Sequence, residues 1–328
     1  MAASLLILVS FRSFWFWLSW PLLLAGLLVG VDVWQRSSAS RSCRPAPLAR
    51  CVAADFSALE WRTVDLRGAE LSRGRWFGTQ LENANLAGAR LDGGILIGAD
   101  LERANLRGAS LRGVVCRSCD LGSADLTGAD LRGADLEGSD MESARLSSAR
   151  LEGARLRGND LESADLRDVL ANGADFTGAN LGRARLSGAR LEGAHLVATD
   201  LTSARLDQAH LAGAVLRQAR LGVRPAAEDD DTGAGAYLED TDLTGADLRQ
   251  ADLSGVVMLR GTLRAARLER ARTSGARWLG VAFHHTRCPD GSRRSSACPG
   301  WDVPRTAASE KVALARVAWL RNLPWPWD

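Results

Sequence analysis

The chain has 328 residues, with 41 basic against 39 acidic side chains and a formal net charge of +2. That length suits two average domains or one long repeat array. The balance excludes a chain-wide polyanion and argues against nucleic acid as a partner, which would call for a strongly basic surface.

Residues 1–35 are the first predicted element, a hydrophobic membrane anchor or signal helix. Positions 14–31, FWFWLSWPLLLAGLLVGV, are apolar and uncharged. With the flank to Trp34, the run is long enough to cross ~30 Å of hydrocarbon. Trp15, Trp17 and Trp34 stand near its ends, where interfacial tryptophans sit. Residues 14–34 therefore read as an uncleaved single-pass contact with the membrane. The rival is a cleaved signal peptide leaving a secreted protein, because SSAS at 37–40 offers small residues for cleavage. Arg12 precedes the segment, whereas Arg36, Arg41, Arg44 and Arg50 come after it, which places the C-terminal side in the cytoplasm.

The cysteines point the other way. Cys43 and Cys51 lie in the expected linker at 36–51, just before the repeats, and Cys288 and Cys298 come just after them. Closely spaced pairs at both ends of an array read as disulfide staples, which need an oxidising compartment. The expectation adopted is an array on the extracytoplasmic side.

From Phe56 a large apolar residue returns every five positions: Leu66, Leu71, Trp76, Leu81, Leu86 and onward to Leu221. Two residues before each stands a small one, usually alanine, as at Ala84, Ala89 and Ala99. Neither a helix nor a straight strand can use this period. Five residues advance ~500° on a helix, which smears the leucines round every face. Along a strand, an odd period alternates the faces. A corner once per unit solves both problems. The small residue and the leucine then point inward together, four right-angle corners close a coil, and Gly or Ser after the leucine suits the turn. Coils stack at strand spacing, ~4.8 Å.

Units such as ADLTG, ADLRG, ANLRG and ADLSG resemble the pentapeptide-repeat family. The resemblance covers about two-thirds of the chain and implies an all-β solenoid, a right-handed quadrilateral β-helix with four pentads per coil. Slots from Phe56 to Leu221 and from Leu238 to Phe283 make about eleven coils, roughly 50 Å of stack. The register breaks between them, with a step of seventeen that is not a multiple of five. The domain reading is a main array at 52–221, an extruded loop at 222–237, a second array at 238–286 and a C-terminal cap at 287–328. The cap holds a turn-rich cysteine segment with a Pro-Asp-Gly turn. A short capping helix is expected from Thr306 to about Arg321, stopped by Pro324. The tail LPWPWD reads as part of the cap, with lipid contact as the alternative.

No catalytic signature occurs: there is no G-x-S-x-G, no H-E-x-x-H and no G-x-x-x-x-G-K-[ST]. Lys311 is the one lysine, so the repeats lack a lysine nucleophile. No enzyme activity, cofactor or metal is expected. Cys116 fills a leucine slot and Cys119 a small-residue slot, so both face inward and read as buried thiols, with an internal disulfide as the alternative. His284, His285, Cys288 and Cys298 carry zinc-ligand types, but the turn residues between them favour a disulfide. EDDDTG at 228–233 lacks the spaced ligands of a calcium loop.

Residues twenty apart stack on one wall. One wall reads Gln80, Asp100, Asp120, Asp140, Asp160, Asn180, Asp200, with Glu82, Glu102, Glu142 and Glu162 two residues on from their wall positions. Like charges at ~4.8 Å repel, so this column is a candidate docking wall for a basic protein partner or for divalent cations. The plainer reading is that Asp fits the unit's turn chemistry. Other walls alternate, Asp135, Arg155, Asp175 on one and Asp165, Arg185, Arg205 on another, which predicts Asp–Arg ladders. The function expected is a non-enzymatic, membrane-tethered scaffold or interaction module. The alternative comes from the resemblance: some members of the family mimic B-form DNA and bind DNA gyrase. Those are soluble, dimeric and strongly acidic, and nothing in these residues indicates a dimer.

Overall fold

The computed structural model describes residues 43–222 and 235–301. Residues 1–44 and 45–328 form two compact units, and the coils belong to the second. The membrane segment expected at 14–34, the loop interior and the helix expected from Thr306 lie outside the described residues. Among the described residues, no helix is long and apolar enough to cross a membrane.

The unit at 121–125 shows how five residues build the coil. The Leu121 N–H donates to the Asp140 carbonyl (2.8 Å), the Ser123 N–H to the Glu142 carbonyl (2.8 Å) and the Asp125 N–H to the Ala104 carbonyl (2.9 Å). These three bonds tie a coil to its neighbours. The Ala124 N–H turns back on the Leu121 carbonyl (3.0 Å) and closes the corner. The Gly122 N–H donates to Asp120 Oδ1 (2.9 Å). Every backbone donor is met, which an ordered backbone requires. The third residue of each corner has a positive φ, 55° at Ser123 and 68° at Gly128, the conformation that favours glycine.

Repeating this unit gives parallel bridges between residues twenty apart, such as Asp120↔Asp140 and Asp125↔Arg145. Four pentads therefore make one turn of a β-helix. On one side the bridges widen into a parallel sheet of β1 (Tyr237–Glu239), β2 (Val257–Leu259) and β3 (Arg277–Leu279). Register in this sheet runs Tyr237↔Val257↔Arg277.

The core is what the period predicts. From Leu66 to Ala276 the leucines and alanines of the two inward slots are buried, with Phe56, Trp76, Phe176 and Trp278 in leucine slots; Ala49, Ala54 and Leu59 of the first coils are half-buried. Where a hydroxyl replaces alanine, it finds a carbonyl one coil away. Thr79 Oγ1 donates to Phe56 O (2.8 Å), Thr199 Oγ1 to Phe176 O (2.9 Å) and Thr286 Oγ1 to Leu263 O (2.7 Å). Phe56 stacks on Trp76 at 4.0 Å, with Trp61 against both, so the first coils are filled by aromatic rings.

Coils begin ahead of the boundary expected at 52. The Leu48 N–H already donates to Arg67 O (2.8 Å) and Arg50 bridges Glu70. The cause is Cys51, which is buried where a leucine would stand. The register break is a corner insertion. The Ala236 N–H reaches Leu221 O (2.7 Å), the bond that the third residue after a slot makes elsewhere, and Tyr237 bridges Arg205. Residues 236 and 237 thus belong to the coil rather than to the loop. A side chain at Gly235 would meet the Gly255 backbone at 2.9 Å, so glycine is needed where the chain re-enters.

The Cys288–Cys298 staple is present, with Cα atoms 5.5 Å apart. It fastens an antiparallel hairpin of β4 (Thr286–Arg287) and β5 (Arg293–Arg294). The Pro-Asp-Gly turn sits within it, and the Gly291 N–H donates to Cys288 O (2.9 Å). Trp301 stacks on Trp278 at 4.2 Å and donates from Nε1 to Thr273 Oγ1 (3.1 Å), covering that end of the core. Cys43 and Cys51 are also disulfide-bonded.

Cys116 and Cys119 are buried as expected, but they are not thiols: they form a disulfide across one corner. The corner brings their Cα atoms to 5.6 Å, within disulfide reach. The Ser139 hydroxyl replaces the usual corner bond, accepting from the Cys119 N–H (3.2 Å) and donating to Cys116 O (2.6 Å).

Both inward slots are sized for their occupants. Ala154→Leu should overfill the core and cost about 1–3 kcal/mol, and Leu156→Ala should empty it and cost about 2–5 kcal/mol. Urea unfolding monitored by circular dichroism checks both.

Candidate interaction wall

The stacked column expected at Gln80 to Asp200 exists as a continuous ladder: Glu60↔Gln80↔Asp100↔Asp120↔Asp140↔Asp160↔Asn180↔Asp200↔Arg220. Each wall aspartate caps its own corner. Oδ1 accepts the N–H two residues on at Asp100 (3.0 Å), Asp120 (2.9 Å), Asp140 (2.9 Å), Asp160 (3.0 Å) and Asp200 (2.9 Å). This is an Asx turn, and the same cap recurs at Asp125, Asp130 and Asp242 on other walls. Turn chemistry therefore explains why aspartate fills the column.

It does not explain the glutamates. On other walls the residue after the leucine is often arginine, which neutralises the capping aspartate of its own unit. Arg67 pairs with Asp65 (2.7 Å), Arg132 with Asp130 (2.5 Å), Arg167 with Asp165 (2.5 Å) and Arg249 with Asp247 (2.5 Å). The stacked wall carries Glu102, Glu142 and Glu162 in that place, so these units are doubly acidic. Elsewhere the one comparable unit, Asp135 with Glu137, draws on Arg117 and Arg155.

Among the described residues, the ion pairs on the wall gather at its ends and margins. Glu82 meets Arg62 (3.1 Å), Glu102 meets Arg103 (2.9 Å), Glu162 meets Arg183 (3.7 Å) and Asp200 meets Arg220 (3.9 Å). The Asn180 amide braces Asp160 (3.1 Å) and Glu162 (3.2 Å). Asp120, Asp140 and Glu142 are exposed and have no ion pair among the described residues. Burial pushes the Asp100 carboxyl above its ordinary value, and the Glu82 carboxylate beside it adds to the rise, while the Glu102 N–H works against both.

The expected Asp–Arg ladders are only partly the pairs that form. Arg155 does reach Asp135 across one coil (3.6 Å). Shorter contacts run within a unit, as above, or diagonally, as for Arg107 with Asp125 (3.0 Å) and Arg157 with Asp175 (2.5 Å). A long guanidinium reaches sideways past its direct neighbour more readily than it folds onto it. Exposed pairs of this kind are worth ~0.2–1 kcal/mol each.

The opposite pKa directions on two walls give opposite outcomes for one substitution. Asp100 is raised, so its ionised form opposes folding, fully so above its folded pKa and not at all below the unfolded value. Asp130 is lowered, chiefly by its hydrogen bonds from the Arg132 side chain, so it supports folding above the unfolded value and loses that support as pH falls through its folded pKa. Asparagine keeps either cap and removes the charge. Asp100→Asn should raise Tm at neutral pH by about 1–2 °C and Asp130→Asn should lower it by a similar amount. On acidification to about pH 3, below the ordinary aspartate value, the Asp100 difference should vanish, whereas the Asp130 difference should shrink but outlast it, because that support is lost only as pH falls through a lowered folded pKa; thermal unfolding at the two pH values measures both.

A family model described as pentapeptide repeats matches the chain in 8 copies, over residues 77–115, 119–158, 160–196, 194–222 and 234–270. Among solved structures, the chain is similar to HetL, a pentapeptide repeat protein involved in heterocyst differentiation regulation from the cyanobacterium Nostoc sp. strain PCC 7120. Identity is 28%, over 75% of this chain and 91% of HetL, with a TM-score of 0.35. A trypsin-treated form of QnrB1, a plasmid-mediated fluoroquinolone resistance protein, is 20% identical over 56% of this chain and 88% of its own, with a TM-score of 0.32. A pentapeptide repeat protein of the Arabidopsis thaliana thylakoid lumen is 26% identical over 35% of this chain and 79% of its own, with a TM-score of 0.17. A search of curated proteins finds no match.

Proposed function

The chain belongs to the pentapeptide-repeat family, and on that premise we propose that it is a non-enzymatic, membrane-tethered scaffold that presents an acidic wall to a basic protein partner. The observation that carries this reading is the stack of Asp-x-Glu units. Asp100 with Glu102, Asp140 with Glu142 and Asp160 with Glu162 lie on one ladder, where other walls mostly place Asp-x-Arg, Asp-x-Thr or Asp-x-Ser. Aspartate is needed there by the backbone; the second carboxylate is not. A surplus of exposed like charge at coil spacing raises the free energy of the isolated protein. A cationic partner removes that cost as it binds, and its long-range attraction speeds association.

Tethering rests on residues 14–34 and on their length and tryptophan flanks. An extracytoplasmic position for the coils is supported by the disulfides at Cys116–Cys119 and Cys288–Cys298, since such bonds persist in oxidising compartments. Regular coils with a filled core make a rigid support, which suits presentation of a surface better than chemistry on a substrate.

Photo-cross-linking in the native cell tests the wall. A cross-linker at Ser123 or Ser143, corner residues beside Asp120 and Asp140, should capture a basic protein. One at Gly153, on the opposite side of the coil, should not. The combined variant Asp120→Asn, Asp140→Asn, Glu142→Gln keeps both aspartate caps and should reduce the adduct at least tenfold. Equal capture from both sides, or capture unchanged by the variant, would contradict the assignment.

A further inference from the structure

The described coils carry a second charged feature, of opposite sign and independent of the acidic wall. Arg217, Arg249, Gln250, Arg267, Glu269 and Arg270 line a surface cleft of about 270 Å³. Register explains how they meet. The Gln218 N–H donates to the Arg249 carbonyl and the Gln250 N–H to the Glu269 carbonyl, at 3.1 Å each. Positions 217–218, 249–250 and 269–270 are thus the same corner on three successive coils, with the inserted loop accounting for the jump in numbering. The two turn residues of each corner project outward, so the side chains of three corners gather along one edge.

The cleft does not balance its own charge. Asp247 holds Arg249 with two hydrogen bonds, at 2.7 and 2.5 Å. Glu269 is shared between Arg267 (3.6 Å) and Arg287 (3.7 Å). The Arg217 and Arg270 side chains make no ion pair among the described residues. Arg267 Nε is buried and makes no hydrogen bond. Gln250 accepts from the Gln218 amide through its oxygen (3.0 Å), which leaves its own NH₂ to donate. Four guanidiniums and an amide donor therefore converge against two carboxylates, Asp247 behind Arg249 and Glu269 beside Arg267. Cations stacked at coil spacing repel one another, and an anion between them relieves that repulsion. Forked guanidinium donors match the oxygens of a phosphate.

We propose that this cleft binds a phosphate group, gripped by Arg217, Arg267 and Arg270 with a further hydrogen bond from the Gln250 amide. At about 270 Å³ the cleft takes the phosphate and part of the molecule that carries it. A small soluble phosphate ester and a lipid headgroup share this chemistry, and competition separates them.

The test is equilibrium dialysis of inorganic phosphate against the detergent-solubilised full chain at low ionic strength. Wild type should bind saturably, with one site per chain. Arg217→Ala with Arg270→Asn should weaken binding at least tenfold; Arg270 sits at φ 63°, where asparagine is well tolerated, so the fold should persist. Arg264→Ala, an arginine outside the cleft, should bind as wild type does, and Gln250→Ala should weaken binding by a few-fold even if the double variant misfolds. Displacement by glycerol 3-phosphate assigns a soluble ligand, whereas displacement only by short-chain phosphatidic acid assigns a headgroup. Absence of saturable binding by wild type, or binding unchanged in the double variant and in Gln250→Ala, would overturn the proposal.

Discussion

The fifth backbone amide of each pentad is the constraint on which the structure turns. Three of the five N–H groups pair with adjacent coils and one closes the corner, as Leu121, Ser123, Asp125 and Ala124 show. The remaining donor, at Gly122 in this unit, faces a solvent-side corner where no backbone carbonyl is within reach. The side chain two residues earlier supplies the acceptor, and only a short one with an oxygen at the right distance can do so. This is why Asp or Asn precedes so many of the inward leucines. Where another residue stands there, the preceding coil can step in: Asp92 accepts the Arg112 N–H (3.0 Å) and Asn172 the Glu192 N–H (3.1 Å).

A backbone requirement thus scatters carboxylates over all four sides of the coil, and the residue after each leucine decides the charge of the surface. Arginine there makes a neutral unit, as in Asp130-Leu131-Arg132. Glutamate makes a doubly acidic one, as in Asp160-Leu161-Glu162. Near neutrality of the chain as a whole conceals this sorting, because surplus acid on the wall from Asp100 to Asp200 is offset by arginines elsewhere, among them Arg217 and Arg270 in the basic cleft. The raised Asp100 carboxyl is the local sign of the same crowding.

Much of this is legible in the order of residues. A period of five with inward leucine and alanine leads to the coil, and spacing by twenty leads to the wall. Both survive because they derive from steric and pairing rules that act locally in every unit. The features that are not legible depend on geometry between units. The slot rule places Cys116 and Cys119 inward but does not tell that one corner brings their Cα atoms to bonding range. Cys51 does not look like a leucine, so the pattern hides the first coil. The stacking of Trp301 on Trp278 depends on a hairpin folding back over the last coil, which no local pattern encodes. Arg217, Arg249 and Arg270 are separated by a loop and by ordinary corners, and only the register across that loop brings them together.

Hydrogen–deuterium exchange at the wall corners tests the role of the capping aspartates most directly. Amides of Gly122, Glu142 and Glu162 lie at solvent-facing corners, yet they should exchange slowly because Asp120, Asp140 and Asp160 accept their hydrogens. Replacing each aspartate by asparagine should leave that protection in place, and replacing it by alanine should abolish it at the one corner while the neighbouring Ser123, Ser143 and Ser163 amides stay protected. Equal protection in the alanine and wild-type proteins would show that the aspartates are not caps, and the wall's acidity would then need a different origin.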